Sequence, residues 1–179
     1  MLYAFAFERA GVVVSDLYFL NPHPLDGQET PERGVRLELR GFESGELPGS
    51  IYSARPITIG RPLWRVDLLQ DANGAPNTFD RTHHHPNVVG CEPGSRTFVE
   101  ELSDDPLPWL ADEFTNITDL LKEAGIAPDE ISAADAAHAG QLALVQVASV
   151  FDPAGTNIRV TGSPCSTGGH RAVWSAGVS

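Results

Sequence analysis

Val35-Arg36-Leu37-Glu38-Leu39-Arg40 alternates apolar and charged residues without a break. Successive side chains of a β-strand point to opposite faces, so Val35, Leu37 and Leu39 share one face and Arg36, Glu38 and Arg40 the other. That is the period of a half-buried strand. Leu63-Trp64-Arg65-Val66-Asp67-Leu68 repeats the pattern, with Trp64, Val66 and Leu68 on one face and Arg65 and Asp67 on the other. Outward from these two segments, β-branched and aromatic runs predict strands over 2–7, 12–20, 51–53, 57–59 and 63–69, with a further strand over 96–101. Arg9-Ala10-Gly11 reads as the turn of a hairpin. Pro48-Gly49, Pro56 and Gly60-Arg61-Pro62 break the later runs, and Pro56, which has no N–H to donate, belongs at a strand start, an edge or a bulge. With no helical period between them, these strands imply an antiparallel meander and not a doubly wound parallel sheet.

The period changes after residue 102. Asp105 and Pro106 form a helix start, Leu110, Phe114, Ile117 and Leu121 fall on one helical face, and Gly125 stops the run. Ser132-Ala133-Ala134-Asp135 resembles a capping box at the head of a second helix over 132–150, closed by Asp152-Pro153. Residues 142–161 also fit a hairpin around Asp152-Pro153-Ala154-Gly155, and both readings stand. The expected fold class is therefore α+β: an antiparallel curved sheet or partly open β-barrel from residues 1 to about 100, covered by two C-terminal helices. The 179 residues amount to one domain, with a β-rich part over 1–101, a helical part over 103–152 and a loosely held tail over 162–179.

Twelve basic residues against twenty-four acidic ones give a net charge of -12, which disfavours an electrostatic grip on nucleic acid or an anionic membrane. Residues 97–135 carry eleven of the acids against Lys122 alone, so the acidity reads as a solvated helical face. The N-terminus has no basic leader and meets Glu8 and Arg9 early, and no apolar run reaches the roughly twenty residues of a membrane-spanning helix. Cys91 and Cys165 lack CxxC spacing. A single bridge between them stays open, and a cytoplasmic location is the expectation.

One segment is dense in chemistry: Phe79-Asp80-Arg81-Thr82-His83-His84-His85-Pro86, followed by Cys91, Glu92 and Arg96. In extended chain His83 and His85 project to one side and His84 to the other. Two imidazoles with a carboxylate are the raw material of a two-His, one-carboxylate site for iron, zinc or manganese. Glu92 is the nearest carboxylate downstream and Asp80 the nearest upstream. A pair of histidines one residue apart before a glutamate is similar to the first motif of the cupin family. This chain departs from it by six residues between His85 and Glu92, by Pro86, and by the lack of a second motif, so no membership follows.

The expected reading is a small metal-assisted enzyme acting on a small organic molecule in a pocket of the sheet. His83 and His85 ligate, Glu92 is ligand or base, Asp67 handles protons, and Arg65 and Arg81 hold an anionic substrate group. The alternative is a non-catalytic β module binding a ligand or a partner, with the histidines only pinning a loop. Residues 21–34, rich in proline and glycine, are a candidate lid. Weaker candidates are Cys91 as a thiol nucleophile and His138 oriented by Asp135. No Walker loop, GxGxxG, GxSxG or HExxH motif is present, so no nucleotide cofactor is indicated.

Overall fold

A computed structural model describes residues 1–151 apart from Glu8 and Pro128. Five strands, β1 (Leu2–Phe7), β2 (Ala10–Phe19), β3 (Glu32–Ser44), β4 (Ile57–Asp71) and β5 (His83–His85), form one sheet in sequence order. Every neighbouring pair is antiparallel, and β1 and β5 lie at opposite edges, so the meander is curved and open and does not close into a barrel. The alternation of β3 and β4 sets the register: Leu37 lies opposite Val66 and Leu39 opposite Trp64, while Arg36 lies opposite Asp67 and Glu38 opposite Arg65. A slip of one residue would exchange the two faces, so burying either face specifies the pairing.

β4 joins two runs that the sequence separates. Residues 57–59 and 63–69 are one strand, because the register shifts around Arg40, opposite Pro62, absorb the proline as bulges. The Arg40 guanidinium donates to the Gly60 carbonyl at 2.8 Å, satisfying backbone that the bulge leaves unpaired. Pro56 immediately precedes β4, and its carbonyl accepts from the Gly45 amide at 2.8 Å. Residues 51–53, expected as a strand, form an exposed turn instead.

The apolar face of the sheet, with Val12, Val14, Val35, Leu37, Leu39, Trp64, Val66 and Leu68, is buried against four helices. They are α1 (Glu100–Asp104), α2 (Pro106–Thr115), α3 (Ile117–Glu123) and α4 (Ala133–Phe151). Three of them replace the single helix expected before Gly125 and the strand expected over 96–101. Pro106 lacks the N–H that would continue α1 and forces Asp105 out of helical backbone, at φ -146° and ψ 88°. Asn116 breaks the chain again before α3. Asp105 makes no side-chain cap, whereas Ser132 does, accepting from the Asp135 amide at 3.2 Å. Helix α4 takes residues 142–151 as helix. The return strand of the hairpin alternative, the tail over 162–179 and Cys165 lie outside the described residues. Among those described, no helix is long and apolar enough to cross a membrane.

Helix α4 contributes Ala136, Ala139, Ala143 and Val147 to the core, small residues that bring its axis close to its neighbours. Gly140 makes the closest approach, since a Cβ there would overlap the buried Phe114 ring of α2. The variant Gly140→Ala is expected to lose about 1–3 kcal/mol by overpacking. Gly41→Ala, whose Cβ would meet only Ile131 at 3.8 Å, serves as the control in a chemical denaturation series. Equal midpoints for the two variants would refute the packing argument.

Candidate metal centre

The polar face of the sheet is built from rows that run across strands. One row is Arg36 on β3, Asp67 on β4 and His83 on β5; the next is Glu38, Arg65 and His85. Strand β5 is only three residues long, and its start is stitched to β4 by Thr82, whose hydroxyl accepts from the Leu69 amide and donates to the Leu69 carbonyl. His84 points to the other face, where its ring lies 5.3 Å from that of Trp109 and 6.3 Å from that of Trp64. The expected separation of His83 and His85 from His84 therefore holds, and all three are buried.

Both site histidines are oriented through Nδ1. His83 Nδ1 lies 2.9 Å from the Arg81 carbonyl and His85 Nδ1 lies 2.8 Å from the Gly94 carbonyl. A carbonyl can only accept, so each Nδ1 carries the proton and each Nε2 keeps its lone pair. Those two Nε2 atoms lie 3.6 and 3.8 Å from Asp67 Oδ2, and the rings meet edge to face at 5.0 Å. His85 Nε2 is buried and has no hydrogen-bond partner. Asp67, His83 and His85 thus offer three ligand atoms within 4.8 Å of one another, close enough to hold a metal ion.

The Gly94 carbonyl is aimed by a small hairpin, β6 (Val88–Val89) and β7 (Glu92–Pro93). The Gly94 amide donates to the Asn87 carbonyl at 2.8 Å, and a Cβ at Gly94 would stand 2.8 Å from that same oxygen, so only glycine permits the closure.

Asp67 is 1% exposed and its charge is answered by two guanidiniums. Arg36 Nε donates to Oδ1 at 2.7 Å and Arg65 Nε to Oδ2 at 3.0 Å. Burial alone would raise the Asp67 pKa; hydrogen bonds from Arg36 and Arg65 outweigh it and hold the carboxyl below its usual range. Burial has the opposite consequence for the imidazoles. It pushes His83 down to about 4, against the Arg81 carbonyl and Asp67, and it also lowers His85 and His84. All three are neutral at pH 7, the state in which imidazole ligates a metal.

Several expected roles change. Arg65, expected to hold an anionic substrate group, donates to Asp67 instead. Glu92 is exposed on β7 and is not among the residues brought together; Asp67, expected as a proton-handling group, supplies the carboxylate. The segment after Pro86 folds into its own hairpin, which contributes the Gly94 carbonyl instead. Arg81 is a clamp: its guanidinium donates to the Gln28 and Thr30 carbonyls, to Thr30 Oγ1 and to Asp71, and it faces Glu32 at 3.6 Å. It pins the loop over 20–31, a task that only the alternative, non-catalytic reading gave to the histidines. Asp80 serves a turn, accepting from the Asp71 amide and Thr78. Cys91 is a free thiol exposed at the hairpin turn, whereas His85 is buried. Arg36 was readable only as one charged member of an alternating strand; its partnership with Asp67 depends on the β3–β4 register.

Replacing Arg81 by Met leaves Glu32, 1% exposed, without its cation and is expected to cost about 3–5 kcal/mol. Limited proteolysis should then cut first within 22–29; an unchanged cleavage pattern would show that the loop does not depend on this clamp. In metal-free protein the lowered His83 pKa makes neutral imidazole the favoured folded form. Stability is thus complete above the unfolded value near 6.5 and falls as pH drops toward 4. The urea midpoint should decrease between pH 7.5 and pH 5, and by less in His83→Gln. A pH-independent midpoint would contradict the burial argument. No protein-family model, curated protein or solved structure matches this chain.

Proposed function

We propose that the protein is a metal-dependent enzyme acting on a small organic molecule, with Asp67, His83 and His85 as the ligands. The observation that carries this reading is the convergence of both Nε2 atoms on Asp67 Oδ2, at 3.6 and 3.8 Å, each imidazole having its Nδ1–H spent on a backbone carbonyl. Metal-ligating histidines are held in this way, with the second nitrogen fixing ring and tautomer. Metal–ligand bonds of about 2.0–2.2 Å would fill the gap between groups that stand too far apart to hydrogen-bond. Two imidazoles and one carboxylate suit Fe(II), Mn(II) or Zn(II), and three protein ligands leave positions for substrate or water. There the ion would polarise a substrate oxygen or supply hydroxide near neutral pH. Arg36 and Arg65 orient the Asp67 carboxylate.

A second reading has its own observation: both Asp67 oxygens already accept from guanidiniums, which offsets part of the attraction for a cation. In that reading the cluster is a charge-paired support for a non-catalytic β module that binds a ligand or a partner.

Elemental analysis of protein purified without an immobilised metal column separates the two. The enzyme reading expects near-stoichiometric iron, manganese or zinc, lost in the His83→Ala, His85→Ala double variant. It also expects a rise in melting temperature when the divalent ion is returned to stripped protein, because an ion that binds only the folded state stabilises it. Metal-free protein with no thermal response to any of the three ions would overturn it.

A further inference from the structure

Beside β5 runs a short edge that no strand among the described residues covers. Thr97 bridges His84 in antiparallel sense, His84 donating to the Thr97 carbonyl at 3.0 Å and Thr97 to the His84 carbonyl at 2.9 Å. Antiparallel register therefore sets Phe98 beside His83 and Arg96 beside His85, on the face that carries Asp67. The Phe98 ring confirms the placement, with its centroid 5.6 Å from that of His83. Arg96 stands near enough to both imidazoles to act on them electrostatically.

These two residues differ from everything else around the cluster. Arg36 and Arg65 are tied to Asp67, Arg40 to Glu38, and Arg81 to the loop over 20–31. Arg96 is exposed and has no carboxylate partner among the described residues. Phe98 is 50% exposed, an aromatic surface at the rim of a buried polar cluster. Asp67 is the only carboxylate among the three grouped ligands, and two arginines already answer it, so Arg96 adds a positive charge that no described carboxylate answers. Among the described residues, a guanidinium without a carboxylate partner, a half-exposed aromatic ring and the unpartnered, buried Nε2 of His85 thus lie along one edge.

We infer that Arg96 and Phe98 are the docking edge of this site and that its ligand is a small organic acid. Arg96 pairs the carboxylate and Phe98 covers the apolar part, which sets the rest of the molecule against Asp67, His83 and His85. The guanidinium fork matches a carboxylate in two parallel hydrogen bonds, and the ring supplies apolar area at little entropic cost. The chemistry done on this acid rests on the metal reading above; the docking does not.

The test uses the full chain, metal-stripped and Zn²⁺-loaded, titrated with benzoate, phenylacetate, acetate and the neutral benzamide by ligand-observed NMR. Benzoate or phenylacetate should bind, benzamide should not compete, and Arg96→Gln should weaken the acids by about tenfold or more, the usual worth of a hydrogen bond to a charged group. Phe98→Ala should weaken the aromatic acids and leave acetate unchanged. Both side chains are substantially exposed, so both variants should keep the wild-type melting temperature and zinc content. Acid binding that ignores Arg96, equal competition by benzamide, or no saturation by any acid at millimolar concentration would overturn the proposal. Acid binding that needs Arg96 in a protein taking up no metal would leave docking standing and remove the metal reading. Zinc held at Asp67, His83 and His85 with acids indifferent to Arg96 would do the reverse.

Discussion

A carboxylate removed from water must be paired, and Asp67 is removed almost completely. Desolvation of a charge costs several kcal/mol unless neighbouring groups answer it. Here the answer comes from the neighbouring strand and from the carboxylate's own strand: Arg36 opposite on β3 and Arg65 two residues away along β4. This requirement reaches further than electrostatics. Arg36 can meet Asp67 only if β3 and β4 pair in the observed register, and that register also sets Leu37 against Val66 and Leu39 against Trp64. The polar and apolar faces therefore enforce the same pairing, the agreement between levels that gives a fold a single solution.

The apolar face is closed by helices and the polar face by loops, and the two closures work differently. Helix α4 approaches through alanines and Gly140, so its hold is steric and depends on small volume. The loop over 20–31 is held by hydrogen bonds that converge on one buried guanidinium, and the hairpin of β6 and β7 by its own closure at Gly94. Polar closure leaves groups that point inward without partners, and His85 Nε2 is one of them. The strong acidity of the chain sits elsewhere, in and around α1 to α3. There Glu113 is raised by burial and by its acidic neighbours Glu123 and Asp112.

Much of this was legible from residue order. The alternation of 35–40 and 63–68 marks the strands and their faces, and the two-residue period parts His83 and His85 from His84. What residue order hid has physical causes. Proline ordinarily ends a strand, so the union of 57–59 with 63–69 depended on bulges that only pairing with β3 reveals. The carboxylate of the site was sought near the histidines in sequence, at Glu92 and Asp80, because local spacing is what a motif displays. Asp67 reaches His83, sixteen residues further along the chain, across the β4–β5 ladder, a separation that a motif does not record. Arg81 looked like a substrate ligand because its targets, Gln28, Thr30 and Glu32, lie some fifty residues upstream.

By itself, the sequence determined the periodicities, and with them the class of fold, the identity of the two faces and the side of the strand on which two imidazoles stand. These are local properties, set by backbone geometry within a few residues. Which carboxylate those imidazoles face, which arginines neutralise it and which arginine lies at the rim beside them were decided by tertiary structure alone. The reason is that a β-ladder places side by side residues whose separation along the chain carries no trace of the contact.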